Sequence, residues 1–284
     1  MTKGISLYPG LGHSREKSFA YLDLARKNGF STLFTSLHIP EADAAKLVFE
    51  FQELTQEALR LGFKITADIS PAALKFLGGS FSDLTPLKKL GLSALRLDFG
   101  FTPTEIAHLS QKTELELNAS TLTEPFLRQI KDAGTDLSRI TVCHNYYPRP
   151  ETGLSFAFLA DRAQLFRAHG LKTAAFIPSL ANKRAPIYAG LPTLEEHRYL
   201  NPLLAAKHLF YSGCATEVRF GDPLAAAAEI TAVGALSETC AELNLDLLET
   251  LTPLEAKILF SPHTNRLDPG EWTIRSAEAR TLAT

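Results

Sequence analysis

The sequence predicts an α/β chain built on a (β/α)8 TIM barrel, and three observations predict it. Short β-branched or apolar runs alternate with amphipathic segments over most of the chain. Gly29, Gly62, Gly91, Gly134, Gly170 and Gly213 each follow a helical segment, where a left-handed C-terminal cap favours glycine. The runs recur about every thirty residues, and eight such units match the usual barrel size of about 250 residues. Strand–helix alternation implies right-handed βαβ units and a parallel sheet. An open doubly wound sheet is the competing architecture. It is disfavoured because no GxGxxG follows the first run.

In order, the expected strands are ISLY (5–8), TLFTSL (32–37), KITADI (64–69), ALRLDF (94–99), ELELNA (114–119), ITVCHN (140–145), TAAFIP (173–178) and TEVRF (216–220). Each is rich in residues that suit a buried pleated surface. Between them, Tyr21–Asn28, Ala44–Leu61, Glu124–Ala133, Phe156–His169 and Pro202–Tyr211 carry apolar residues at helical spacing. The barrel closes near Leu236, giving a catalytic domain over 1–240. Residues 241–284 do not continue the repeat. LDLLETLTPLEAKILF and HTNRLDPGEWTIRS carry Pro, Asn and Asp signals and the lone Trp272 that look like the entry to another unit. About forty residues bury too little surface to fold alone, so by themselves they read as a C-terminal extension packed on the barrel.

Composition narrows the function. The 284 residues carry 29 Lys+Arg against 31 Asp+Glu, so there is no basic excess for nucleic acid. The weakly polar stretch Leu224–Leu236 is interrupted by Glu229 and too short for a bilayer, so no membrane association is expected. MTKGISLYPG lacks the apolar region of a secretory signal. Three cysteines without CxxC spacing predict reduced thiols in a cytoplasmic protein. No HExxH, paired cysteine or EF-hand pattern signals a metal, and no cofactor is expected. Neither a GxSxG elbow nor a Walker A motif occurs. Lys64 stands at the wrong end of its strand for a Schiff base, which argues against a class I aldolase.

Chemistry in such a barrel belongs at the C-terminal strand ends. Arg96 with Asp98, Glu114 with Glu116 and Asn118, and Glu217 with Arg219 each share a strand face. Arg96, Glu116, Glu217 and Arg219 are expected to form an internal ion-pair layer, since buried charges need partners. Asp68, Asp98 and Asp222 stand at strand ends and are candidate catalytic carboxylates, although Asp222 in GDP also suits a helix cap. The densest polar run is His144-Asn145-Tyr146-Tyr147-Pro148-Arg149-Pro150-Glu151, whose prolines stiffen it. Its tyrosines suit a sugar wall, Arg149 a phosphate or carboxylate, and Glu151 a further carboxylate. Lys183 and Arg184 follow strand seven, where barrels commonly bind phosphate, and His38 follows strand two. Carboxylates, aromatic walls and cations together suit acid–base work on a sugar.

FTSLHIPEAD (34–43), ITADISP (65–71), LRLDFGF (95–101), ELNAST (116–121), HNYYPRPETGLS (144–155), KRAPIYAGLPTLEEHRYL (183–200) and FGDP (220–223) resemble the hallmark runs of the bacterial 6-phospho-N-acetylmuramidases, formerly a domain of unknown function sometimes called outer-surface proteins. The resemblance covers the whole barrel. It implies a cytoplasmic TIM barrel followed by a small β-rich, cyclophilin-like domain, of which HTNRLDPGEWTIRSAEAR resembles the truncated start. The implied activity is hydrolysis of MurNAc-6-phosphate–GlcNAc in peptidoglycan recycling. Two carboxylates among Asp98, Asp222, Asp68 and Glu151 would act as acid and as base or nucleophile. Asn118, His144, Asn145, Tyr146, Tyr147 and His38 would contact the sugars, and Arg149, Lys183 and Arg184 the phosphate. A phosphorylated amino-sugar disaccharide is thus the expected partner. Unpaired strand edges in an incomplete domain also invite a homodimer. A sugar-phosphate-binding regulator, or an isomerase or lyase using the same cluster, are the alternatives. Family members usually carry acidic residues soon after the first strand, whereas this chain reads GLGHSREK.

Overall fold

Eight parallel strands pair in chain order and close on themselves in the computed structural model: β1 (Thr2–Ser6), β2 (Thr32–Ser36), β3 (Lys64–Ile69), β4 (Ala94–Leu97), β5 (Glu114–Asn118), β6 (Ile140–Cys143), β7 (Lys172–Ile177) and β8 (Glu217–Pro223). β8 returns to pair with β1, which removes every sheet edge. The structure describes residues 1–36, 44–69, 79–80, 83–243, 245–268, 270 and 273–283. Around the barrel lie α1 (Arg15–Lys27), α2 (Ala44–Arg60), α3 (Thr85–Lys89), α4 (Pro103–Ser110), α5 (Glu124–Asp132), α6 (Phe156–Ala168), α7 (Pro202–Tyr211) and α8 (Ala227–Gly234). The expected (β/α)8 barrel is therefore present.

Local signals set the helix starts. α1 begins six residues before the expected Tyr21, because the Ser14 side chain accepts the Lys17 N–H and Glu16 lies in the first turn. α4 starts on a capping box in which Thr102 and Glu105 satisfy each other's backbone N–H groups, with Pro103 next to the cap. Ser155 and Asn201 cap α6 and α7 by accepting the N–H groups of Phe158 and Leu203 on their side chains.

Outward-facing strand residues such as Ile5, Leu33, Ile65, Leu95, Leu117, Val142 and Val218 pack with helix residues such as Leu22, Phe51, Ile106, Leu127 and Phe166. The barrel interior is different. Tyr8, Phe34, Cys143, Ala174 and Phe176 form one cluster, and beside it runs the expected ionic layer. Glu116 pairs with Arg96 at 3.0 Å and with Arg219 at 2.6 Å, and Arg219 pairs with Glu217 at 2.6 Å. The Phe34 ring lies 5.9 Å from the Arg96 guanidinium and 5.8 Å from that of Arg219. Gly4 is required here: a Cβ would strike the Thr32 hydroxyl and the Arg219 side chain.

The barrel, with its approach to Ala241, forms one compact unit, and residues 242–284 form a second. The second unit holds α9 (Pro253–Leu259), α10 (Ala279–Leu282) and an antiparallel bridge between Asn265 and Ser276. None of its described residues is buried. It is tied by polar groups, including Asp268 with Arg266 and Arg275 at 2.9 Å each.

Candidate active site

The C-terminal mouth of the barrel contains a pocket of about 190 Å³ lined by Phe34, Asp68, Arg96, Asp98, Asn145, Tyr146 and Phe176. Register explains the convergence. Asp68 pairs with Arg96 across β3 and β4, and Arg96 with Glu116 across β4 and β5, so these side chains form one inward layer. Asp98 and Asn118 stand one step nearer the mouth, where the Asn118 amide donates to Asp98 Oδ1 at 2.9 Å. The Arg96 guanidinium reaches Asn145 Oδ1 at 2.5 Å and lies 3.9 Å from Asp68 Oδ1. Arg96 thus joins the ionic layer to Asp68 and Asn145. Burial pushes the Glu116 carboxyl up, but the Arg219 and Arg96 guanidiniums more than reverse this, leaving it below the ordinary range.

Aromatic residues close one side. Tyr146 meets Phe176 at 5.1 Å and Tyr8 at 6.4 Å, both edge to face. Arg184 lies over Tyr8 at 4.6 Å and Tyr146 at 5.3 Å and donates to the Tyr146 hydroxyl at 2.9 Å. Burial raises the Tyr8 phenol well above its ordinary value, and its hydroxyl donates to the Gly221 carbonyl at 2.8 Å.

Several expected site residues have other positions. Asp222, expected to approach the mouth beside Asp98, is fully buried and lines no part of that pocket. Its Oδ2 accepts the N–H groups of Ser179 and Leu191, and its Oδ1 that of Arg184, all within 3.0 Å. Period-two alternation from Glu217 and Arg219 accounts for this, since it turns Gly221 inward and Asp222 outward. Burial raises the Asp222 carboxyl above its usual value against the opposing pull of the three N–H groups. The geometry makes Asp222 a brace for the loop after β7. His144 follows the same rule. It points to the helical layer, 6.3 Å from the Phe166 ring, and burial lowers its imidazole to about 3.

The polar run after β6 is held by residues that the sequence reading did not single out. Arg198, fully buried, grips Glu195 with two hydrogen bonds of 2.6 Å and donates to the carbonyls of Tyr147, Arg149 and Gly190. Glu195 in turn accepts the N–H groups of Glu151 and Gly153 at 2.8 Å. Its carboxyl is lowered to about 2, first by the Arg198 hydrogen bonds. The available signal was the Glu–Arg spacing of three residues in LPTLEEHR. Glu151 itself is exposed, in the left-handed region with φ 67°, and Arg149 is also exposed. Neither lines the mouth pocket, nor does Tyr147. Lys183 sits 4.9 Å over the Tyr199 ring. His38 lies outside the described residues.

Among the described residues, Glu196, His197 and His208 have metal-type spacing. His197 Nε2 and His208 Nδ1 are 2.9 Å apart, a hydrogen-bond contact. His197 Nδ1 is buried without a hydrogen-bond partner, and a metal on Nε2 would leave it an orphaned N–H. The arrangement favours a hydrogen-bonded pair over a metal centre. No described helix is long and apolar enough to cross a membrane.

Residues 3–235 match the family model described as 6-phospho-N-acetylmuramidase, N-terminal. The chain is 32% identical to an uncharacterized B. cereus protein of known crystal structure, with a TM-score of 0.85 over 99% of this chain and 78% of that one. It is 35% identical to a conserved protein of unknown function from Enterococcus faecalis, with a TM-score of 0.76 over 98% and 76% of the two chains. A dihydropteroate synthase from Yersinia pestis, 12% identical, shares the fold at a TM-score of 0.52 over 83% and 93%. No curated protein matches the sequence.

Proposed function

The chain belongs to the 6-phospho-N-acetylmuramidase N-terminal family, and from that premise we propose that it is a glycosidase that cleaves MurNAc-6-phosphate–GlcNAc to MurNAc-6-phosphate and GlcNAc, as in peptidoglycan recycling. The observation that carries the reading is that Asp68 and Asp98 line one small pocket with Asn145 and Tyr146. Glycoside hydrolysis needs two carboxylates on opposite sides of the anomeric carbon, one protonated and one ionised. Asp68, with the Arg96 guanidinium 3.9 Å away, and Asp98, one step nearer the opening, are the pair in this reading, one acting as base or nucleophile and the other delivering the proton to the leaving GlcNAc oxygen. Asn118 fixes the Asp98 carboxyl, Asn145 orients the acetamido or hydroxyl groups, and Tyr146 forms the wall on which the sugar stacks. Asp222 braces the loop after β7 and the Glu151 side chain is exposed, and neither lines the mouth pocket.

The test is product formation. Incubation of the protein with the phosphorylated disaccharide should release GlcNAc and MurNAc-6-phosphate in equal amounts. Saturable binding of the intact disaccharide, without release over many hours, would replace the hydrolase with a sugar-phosphate-binding regulator.

A further inference from the structure

Asp98 borders a second pocket besides the mouth. It too measures about 190 Å³, and the segments after β4 and β5 form it, with Asn118 in its lining beside Asp98. Phe99, Phe101 and Phe126 supply aromatic walls, and Thr121 adds a hydroxyl. Asp98 is the one charged residue among the described residues that line it. Each of the two volumes falls below the roughly 300–1,000 Å³ of pockets that enclose a drug-sized ligand. A molecule of two sugar rings therefore needs both pockets, one ring in each.

The loop that carries Phe99 is short and pinned at both ends. Asp98 at its start accepts the Asn118 amide at 2.9 Å, and Asn118 Oδ1 accepts the Ser120 N–H at 3.0 Å, which fixes the orientation of that amide. Gly100 turns the chain in the left-handed region with φ 81°, and Thr102 caps α4. Phe99 is nevertheless 67% exposed. Single exposed apolar residues are ordinary, but this one lines a pocket that shares Asp98 with the mouth. A sugar ring laid on it covers the phenyl face, and a pinned loop has little freedom left to lose.

Charge decides which ring goes where. The mouth pocket presents the Arg96 guanidinium, whereas the second pocket presents a carboxyl as its only charge. The second pocket thus repels an anionic sugar and admits a neutral one. Of the two halves of the disaccharide, only GlcNAc is neutral.

We propose that this second pocket takes the leaving GlcNAc with its ring on Phe99, and that Asp98, on the border of both pockets, protonates the leaving oxygen. The identity of the sugar and the role of Asp98 rest on the hydrolase reading; that the pocket takes a neutral sugar ring does not. The bond between the anomeric carbon and the glycosidic oxygen breaks with its electron pair going to the oxygen, which takes the Asp98 proton. Water supplies the hydroxyl to the anomeric carbon, and its proton returns to the carboxylate pair. Asp68 lines the mouth but not the second pocket, and is left with the role of base or nucleophile.

Two measurements on the full chain test this. The first compares kcat/KM for MurNAc-6-phosphate–GlcNAc and for the 4-nitrophenyl glycoside of MurNAc-6-phosphate, whose nitrophenolate leaves without a proton. Asp98→Asn should lose about 10²–10⁴ on the disaccharide and stay close to native on the nitrophenyl glycoside, while Asp68→Asn loses on both. Equal losses by Asp98→Asn on both substrates, or a nitrophenyl substrate spared by Asp68→Asn instead, would overturn the assignment. The second is NMR titration with GlcNAc alone. It should shift signals of the loop 98–102, and Phe99→Ala should weaken binding about 3- to 10-fold. No shift in that loop, or unchanged affinity in Phe99→Ala, would overturn the pocket. Binding of GlcNAc there that weakens in Phe99→Ala, in a protein that hydrolyses neither glycoside, would support the pocket and remove the hydrolase.

Discussion

Glu116 occupies the most consequential position among the barrel residues. It is fully enclosed and pairs with both Arg96 and Arg219, so its removal strands two guanidiniums in the interior. Loss of one partner of a buried ion pair costs about 3–5 kcal/mol, and we expect Glu116→Ala to lose at least that much in chemical denaturation. Stability within 1 kcal/mol of the native value, an order-of-magnitude criterion set by ordinary surface substitutions, would mean that water reaches the layer. This layer was legible in the sequence, because charges two residues apart on strands must share a face. The same alternation explains the positions of His144 and Asp222, for which nearness to a strand end is a poorer guide than parity. Tyr8 shows the limit of such reasoning. Its contacts with Tyr146, Arg184 and Gly221 join β1 to residues more than a hundred positions away.

At the scale of elements, two loops owe their form to buried polar groups. Arg198 and Glu195 hold the run after β6, and Asp222 holds the run after β7. Arg198→Ala should leave the barrel folded and free the segment 145–153, which hydrogen exchange would register as lost protection confined to that loop. Uniform loss across the barrel, or no change, would contradict the brace. Acid should act similarly. The Glu195 carboxyl is held at about 2 against an ordinary 4.5, so its contribution is complete above pH 4.5 and disappears as pH falls towards 2. Helix starts were readable from capping residues, as Thr102 with Glu105 shows. The braces were less readable, since an Arg–Glu pair three apart usually indicates an exposed helix face. Here Arg198 is fully buried.

For the whole molecule, eight recurrent units specified the barrel, because each strand–helix pair is a local pattern and closure follows from their number. A pH signature also belongs to this scale. Burial lowers His144 to about 3 and His197 to about 4, against an ordinary 6.5. Between those values the unfolded chain binds more protons than the folded one, so stability should rise with pH from about 4 to 6.5 and level off above. His144→Gln should flatten part of that rise in thermal unfolding at several pH values. A slope between pH 4 and 6.5 identical to that of the native protein would show that His144 does not carry it.

The central claim is that Asp68 and Asp98, at the barrel mouth, perform the hydrolysis. Its most direct test is the rate of GlcNAc release from MurNAc-6-phosphate–GlcNAc by the native protein, Asp98→Asn and Asp222→Asn, each shown to be folded by circular dichroism. A general acid or base contributes about 10²–10⁴ in rate, so kcat should fall by that factor in Asp98→Asn and by less in Asp222→Asn, whose effect passes through the loop that carries Arg184. Near-native turnover by Asp98→Asn, with Asp222→Asn inactive, would contradict the account and return the chemistry to the end of β8.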